Sequence, residues 1–281
     1  MAETVLVISS KNYSSWSLRG WLLARMSGLP FQERVLSPEE PSAREELLLR
    51  SSSILVPCLI HAGPSIWDTL AIAEYLNELR PEAGMFPADR PARARCRSVS
   101  GEMHPGFSAL RSSLPMNLRS RRPGFKVWAS ARADIERIGT IWRDCIGTWG
   151  GPFLFGDRYT VADAMYAPVC TRLRTYCVEV DEVCAAYSAH ILALPDMAEW
   201  TEAALAERAE ILELESEFQR RTPRPLPGRR AGDATRRPCR RRRVHPRRPA
   251  ERAADPIHPF RPETGRRGDH VAGPRRRRAP R

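Results

Sequence analysis

The apolar pattern of the chain changes character once, and that change limits the folds open to it. Thr4-Val5-Leu6-Val7-Ile8 is rich in β-branched residues and reads as a strand. Leu18, Trp21, Leu22, Leu23 and Met26 then recur at helical spacing and stop at Gly28. Phe31 to Leu36 reads as a second strand, and Ala43 to Leu49 as a short helix. Pro57 to His61 and Ser65 to Trp67 flank the turn Ala62-Gly63-Pro64 and predict a hairpin. Thr69 to Leu79 is amphipathic at helical period. The order is β-α-β-α-β-β-α. Beyond a linker punctuated by Pro81, Pro87 and Pro91, only helical periodicity remains, over roughly 92–112, 127–148, 163–178, 182–193 and 196–217. The predicted class is therefore α+β in two domains, a mixed unit over 1–82 and an all-helical unit over 92–218. Residues 219–281 show no periodicity.

Charge separates the same segments. The formal net charge of +12 invites a nucleic-acid or membrane-surface partner. From Gln219 to Arg281, however, there are 22 Arg, no Lys and five acids, which leaves residues 1–218 at a net −5. A basic nucleic-acid-binding body is excluded by that division. The tail holds 11 of the 25 prolines and a single aromatic, Phe260, too little apolar surface to offset the entropy of ordering, so it is predicted to be disordered. Arg, Pro, Ala and Gly share GC-rich codons, which suggests frameshifted or read-through sequence. The rival is a basic arm that binds nucleic acid non-specifically through phosphates.

No apolar run approaches the ~18–20 residues of a membrane span, and the start lacks a basic leader region. The seven cysteines are odd in number and contain no C-x-x-C pair, so neither a disulfide framework nor a metal site is expected. Scattered thiols fit a cytoplasmic protein.

Three places could carry chemistry. Ser14-Ser15 lies between the first strand and the first helix, where a hydroxyl caps the helix or the exposed N–H groups and dipole receive an anion. Val56-Pro57 precedes the third strand, and the sequence by itself does not favour a cis bond there. Asp68-Thr69 opens the third helix, as a cap or as a carboxylate-binding N-terminus. The stretch Phe153 to Asp163 ends in Thr160-Val161-Ala162-Asp163, a Thr-x-x-Asp capping box with a structural role.

Taken together, these features resemble the glutathione S-transferase family over about residues 4–217: a thioredoxin-like N-terminal domain followed by a helical domain with that capping-box signature. The resemblance implies a cytoplasmic homodimer that uses glutathione as co-substrate, with no metal. Ser14 or Ser15 would donate its hydroxyl to the glutathione sulfur, favouring the nucleophilic thiolate. Val56, followed by a cis Pro57, would pair its backbone with the cysteinyl amide. Asp68 would face the γ-glutamyl ammonium, and Thr69 its carboxylate. Asp68 stands where the family more often has Glu or Gln. Ser14-Ser15-Trp16 is also similar to the Ser-Ser-Cys segment of the zeta class, with Trp16 in place of its cysteine.

A second, electrophilic substrate would lie against the first long helix of the helical unit. Met103, His104, Phe107 and Arg111 are its candidates, with Leu110 and Met116 nearby; Met103 and Leu110 read equally as interhelical core. Arg19 either adds positive potential near the site or pairs on the surface. Besides conjugation, the resemblance leaves open a glutathione-dependent isomerase or dehalogenase, and a non-catalytic module that binds glutathione or a protein.

Overall fold

The computed structural model describes residues 3–36 and 55–207. The chain divides into two compact units, Met1–Arg224 and Pro225–Arg281, and every described residue belongs to the first. The helix expected over Ala43 to Leu49, the last part of the 196–217 helix and the 219–281 tail lie outside the described residues.

Four strands form one sheet in the order β2-β1-β3-β4. β1 (Thr4–Ile8) pairs in parallel with β2 (Gln32–Val35), which requires a crossover, and α1 (Ser15–Ser27) supplies it. β3 (Cys58–His61) runs antiparallel to β1 with Leu6 opposite Leu59, and β4 (Ser65–Trp67) closes the expected hairpin with Leu59 opposite Ile66. The period-2 alternation sorts the two faces. Leu6, Ile8 and Leu59 join the main core, whereas Val7 and Cys58 form a small cluster on the other face with Val5, Val56 and Ile60.

α1 begins because Ser14 caps it: the Ser14 hydroxyl accepts from Ser17 N. It ends at Gly28, whose φ of +66° lets its N–H turn back to Arg25 O. Leu18, Trp21 and Leu22 are fully buried on this helix, each worth about 1.5–3 kcal/mol by transfer from water. α2 (Thr69–Leu79) packs on α1 through Ile72, Ala73 and Leu76.

The helical part comprises α3 (Arg90–Met103), α4 (Ser108–Ser113), α5 (Ala129–Trp149), α6 (Val161–Tyr176), α7 (Glu182–Leu192) and α8 (Pro195–Ala206). α6 is its axis, buried along almost its whole length and packed on α1, α3 and α7. The expected single helix over 92–112 is two. Pro105 lacks the N–H that would continue α3, and a Cβ on Gly106 would lie 2.4 Å from Glu102 O. Phe107, at φ +59°, then redirects the chain into α4. The break places His104 and Phe107 off the helix that the apolar spacing had predicted.

Candidate functional site

The turn before α1 is held from a distance. Ser10 Oγ and the amides of Lys11 and Asn12 all donate to the Glu207 carboxylate, at 2.7, 3.1 and 3.0 Å. Arg119 donates its backbone N–H to Asn12 Oδ1, one guanidinium nitrogen to Glu207 O and another to the Tyr13 hydroxyl. The Ser14 oxygen, half-buried at the N-cap, is therefore carried on a turn braced at several points. It accepts from Ser17 N at 3.2 Å and donates to Ser17 Oγ at 2.9 Å. Ser17 Oγ in turn accepts from Ser9 N at 3.0 Å. Ser15 lies deeper, buried, and its oxygen accepts from Arg172 Nη2 at 3.3 Å.

The Val56–Pro57 peptide is cis. Pro57 sits directly against α1 at Gly20, where an added Cβ would come within 2.5 Å of the proline ring. Asp68 occupies a left-sided backbone conformation, φ +76°, that non-glycine residues rarely adopt. Its Oδ1 caps α2 by accepting from Leu70 N at 2.8 Å and Ala71 N at 3.3 Å. His104 Nε2 donates to its other oxygen at 2.5 Å. Thr69 is fully buried beside it, with a hydroxyl that has no hydrogen-bond partner. Such an orphan is uncommon in folded proteins.

Among the described residues, no group of three or more His, Cys, Asp or Glu is arranged to hold a metal. No described helix is long and apolar enough to cross a membrane.

Residues 13–79 match the family description "Glutathione S-transferase, N-terminal domain", and residues 118–204 match "Glutathione S-transferase, C-terminal domain", together more than half of the chain. The chain belongs to the glutathione S-transferase family. It is similar to a probable maleylacetoacetate isomerase of Caenorhabditis elegans, 23% identical over 168 residues, which are 59% of this chain and 77% of that one. Among solved structures it is similar to a glutathione transferase homolog from Burkholderia gl BGR1 with bound glutathione, at 21% identity and TM-score 0.55, covering 73% of this chain and 100% of that one. It is likewise similar to a maleylacetoacetate isomerase from Anaeromyxobacter dehalogenans 2CP-1, at 22% identity and TM-score 0.52, covering 75% and 94%. At these identities the structures share the fold.

In this member of the family the residues expected to receive a second substrate separate into two groups. Met103 is fully buried in the core, as are Leu110 and Met116, so the helix-packing role is the one they fill. Phe107 is nearly buried in the same core. His104 and Arg111 stay partly accessible beside Trp16. The His104 ring meets the indole edge-on at a centroid distance of 4.9 Å, and the Arg111 guanidinium lies 4.9 Å from the indole centroid. Arg111 Nη2 donates to the carbonyls of Met103 and His104, which end α3.

Arg19 does not pair on the surface. It is fully buried, donates Nε to Met165 O at 2.8 Å, and stacks 4.8 Å from the same Trp16 ring. Both of its terminal nitrogens lack hydrogen-bond partners. Arg172, absent from the expected site residues, is the third arginine of this group. It is buried, with Nε on Leu114 O at 2.8 Å and Nη2 on Ser15. Burial pushes all three guanidinium groups below their ordinary range. Arg111 adds repulsion at both Arg19 and Arg172, and Arg172 reaches about 10. The available signal was the charge itself: an arginine flanked by Pro168, Val169, Cys170 and Leu173 on an otherwise buried helix.

The capping box is built as a buried acceptor cluster. Asp163 Oδ2 accepts from Thr160 N and Thr160 Oγ1, each at 2.8 Å, and Oδ1 accepts from Leu154 N and the Tyr187 hydroxyl. Burial raises its pKa, and these hydrogen bonds act in the opposite direction.

Proposed function

We propose that the protein is a cytoplasmic glutathione transferase, working as a homodimer, that conjugates the glutathione thiolate to a small electrophile. The carrying observation is the Ser14 hydroxyl. Its oxygen is fixed by Ser17 N at the N-terminus of α1, while its proton is shared with Ser17 Oγ, which keeps a separate partner in Ser9 N. The proton can therefore turn outward to a sulfur without unmaking the cap. A thiol with its usual pKa near 8.5 is mostly protonated at neutral pH; a hydrogen-bond donor and the helix dipole both stabilise its thiolate. Ser15, bonded to Arg172 and buried, serves behind it.

The rest of the tripeptide fits residues that already have the right atoms. Val56, ahead of the cis Pro57, offers backbone to the cysteinyl amide. The unpartnered Thr69 hydroxyl and the N-terminus of α2 suit the γ-glutamyl carboxylate, and the Asp68 carboxylate suits the ammonium group. Asp68 is already engaged by His104 and two backbone amides, so it reaches the ammonium as an additional partner. In the reaction the sulfur lone pair forms the S–C bond, and the leaving group departs with the electron pair of the bond it loses.

Glutathione-dependent isomerisation on the same residues is the second reading, favoured by the isomerase names of the similar proteins. It carries forward less directly because Trp16 replaces the cysteine of the Ser-Ser-Cys segment.

Retention on immobilised glutathione and conjugation with a panel of electrophiles test the proposal. Ser14→Ala should lower kcat at least 10-fold and leave glutathione affinity within a few-fold, because one hydrogen bond to a charged sulfur is worth about 1.5–3 kcal/mol. Absence of both retention and thiol-dependent turnover in the wild type would refute it.

A further inference from the structure

Between α4 and α5, the run from Ser120 to Ala129 borders a cavity of about 960 Å³, and every described residue lining it belongs to that run. The chemistry of this wall is cationic and apolar together. Arg121 and Lys126 are exposed, Arg122 is half-buried, and no described carboxylate lines the groove. Phe125 and Val127 are half-buried among them, and Trp128 is 62% exposed. A contiguous apolar patch rimmed by charge marks a surface that something covers. The wall is fixed from behind by the end of α6. Arg122 N donates to Thr175 O at 2.7 Å, Arg121 Nη1 donates to Arg174 O at 2.6 Å, and the Phe125 ring meets Tyr176 edge-on at 4.8 Å. Burial holds the Arg174 guanidinium below its ordinary range, and repulsion from Arg121 adds to it. The groove ends at the N-terminus of α5. There Trp128 supplies no capping side chain, and the first turn holds no acid. The N–H groups that open this helix, and its dipole, favour a carboxylate at that end.

The chain itself comes to the edge of this groove. α8 stops at Ala206, short of the helix expected to reach 217, and Glu207 takes an extended backbone with φ −64° and ψ 125°. Glu207 is pinned on both sides: its carboxylate to the turn at Ser10 to Asn12, its carbonyl to Arg119 Nη1 at 2.8 Å, one residue ahead of the groove. The sequence that follows complements the wall. Residues 209–218 carry Glu210, Glu213, Glu215 and Glu217 and no cation, while Ile211, Leu214 and Phe218 recur at helical spacing. Eleven residues beyond Glu207 span about 16 Å as a helix and at most ~40 Å extended, enough to run along the ten-residue wall. We propose that residues 209–218 occupy the 120–129 groove of the same chain. The glutamates meet Arg121, Arg122, Lys126 and the start of α5, and the apolar stripe covers Phe125, Val127 and Trp128. The tail beyond, with 22 Arg against five acids over 219–281, is repelled by the same cations. This seat anchors Glu207 from its far side and closes the groove to outside ligands. It does not depend on the proposed thiol chemistry.

The chain holds only two lysines, Lys11 and Lys126, which makes amine-to-carboxylate cross-linking specific. The full-length protein is treated with a water-soluble carbodiimide, which joins an amine to a carboxylate in direct contact, and its digest is read by mass spectrometry. Lys11 to Glu33 is the internal control, since these two form an ion pair at 2.5 Å. With that control present, Lys126 should link to Glu210, Glu213, Glu215 or Glu217. Isotope-labelled and unlabelled chains, refolded together in equal amounts, should show the link within one isotope only. Absence of the Lys126 link, or a link to a carboxylate elsewhere in the chain, overturns the proposal. So does a link that carries both isotopes, which makes a second copy the occupant. The full-length double variant Leu214→Asp, Phe218→Asp supplies an independent reading. Its Trp128 emission, isolated by difference against Trp128→Phe, should be quenched by acrylamide roughly twofold more strongly than in the wild type, as the groove opens. Unchanged quenching overturns the proposal as well. Should the double variant fail to fold, the cross-link in the wild type decides.

Discussion

Asp163 illustrates how one residue can fix the meeting of several segments. Its two oxygens satisfy four donors from the 154 turn, the start of α6 and α7. Asp163→Ala would leave Leu154 N, Thr160 N and the Tyr187 hydroxyl buried without acceptors, at roughly 1–3 kcal/mol each. A loss of about 3 kcal/mol or more is expected in urea unfolding, a large share of a typical domain's stability. The pH dependence has a defined sign. Burial raises the pKa in the folded state above that of the unfolded chain, so the folded state holds this proton more tightly. The Asp163 contribution is therefore greatest below the ordinary carboxylate pKa and declines as pH rises through the raised value. Asp163→Asn should remove that slope, which unfolding measured across the acidic range would reveal. The Thr-x-x-Asp pairing was legible because it lies within one helical turn. The bonds from Leu154 and Tyr187 were not, since nothing in local spacing brings those donors to the carboxylate.

At the scale of elements, the contact between α1 and the 56–57 peptide deserves a direct experiment. Gly20 faces the Pro57 ring so closely that an added Cβ would fall 2.5 Å from two of its carbons. A rigid ring cannot swing aside as a flexible side chain does. Gly20→Ala should therefore separate α1 from the strand entry, destabilise the protein by about 1–3 kcal/mol, and raise KM for glutathione more than it lowers kcat. A thermal melt and steady-state kinetics with glutathione varied check both parts. The same element shows what the sequence could and could not disclose. The extent of α1 followed from a cap hydroxyl, an apolar stripe and Gly28. The division of 92–112 into α3 and α4 did not follow from apolar spacing, because Met103, Phe107 and Leu110 continue to mimic a helical stripe across the break. Pro105 and Gly106 carried the contrary signal, and the backbone obeyed them. Buried arginines were the least legible feature. A charged residue reads as surface until the packing around it is known.

Across the whole molecule, the turn at Ser10 to Tyr13 is completed by residues from the far end of the described chain. Glu207 follows α8 and accepts three hydrogen bonds from this turn, and Trp200 on α8 donates to Lys11 O at 2.9 Å. Trp200 also packs against Trp21 of α1, at a centroid distance of 5.4 Å. Glu207→Ala should release the amides of Lys11 and Asn12 to faster hydrogen exchange and lower kcat/KM, while the core strands keep their protection. Exchange measured by residue or by short peptide distinguishes this from general destabilisation, which would speed β1 and β3 as well.

The bond from Asn12 to Glu207 closes over 195 residues of sequence. A ribosome moves from the first partner to the second in about 10–40 s at ~5–20 residues per second. During that interval the sheet and α1 have emerged, yet the serine-bearing turn still lacks its last support. Placement of the Ser14 oxygen is therefore completed only after α8 and Glu207 have been made.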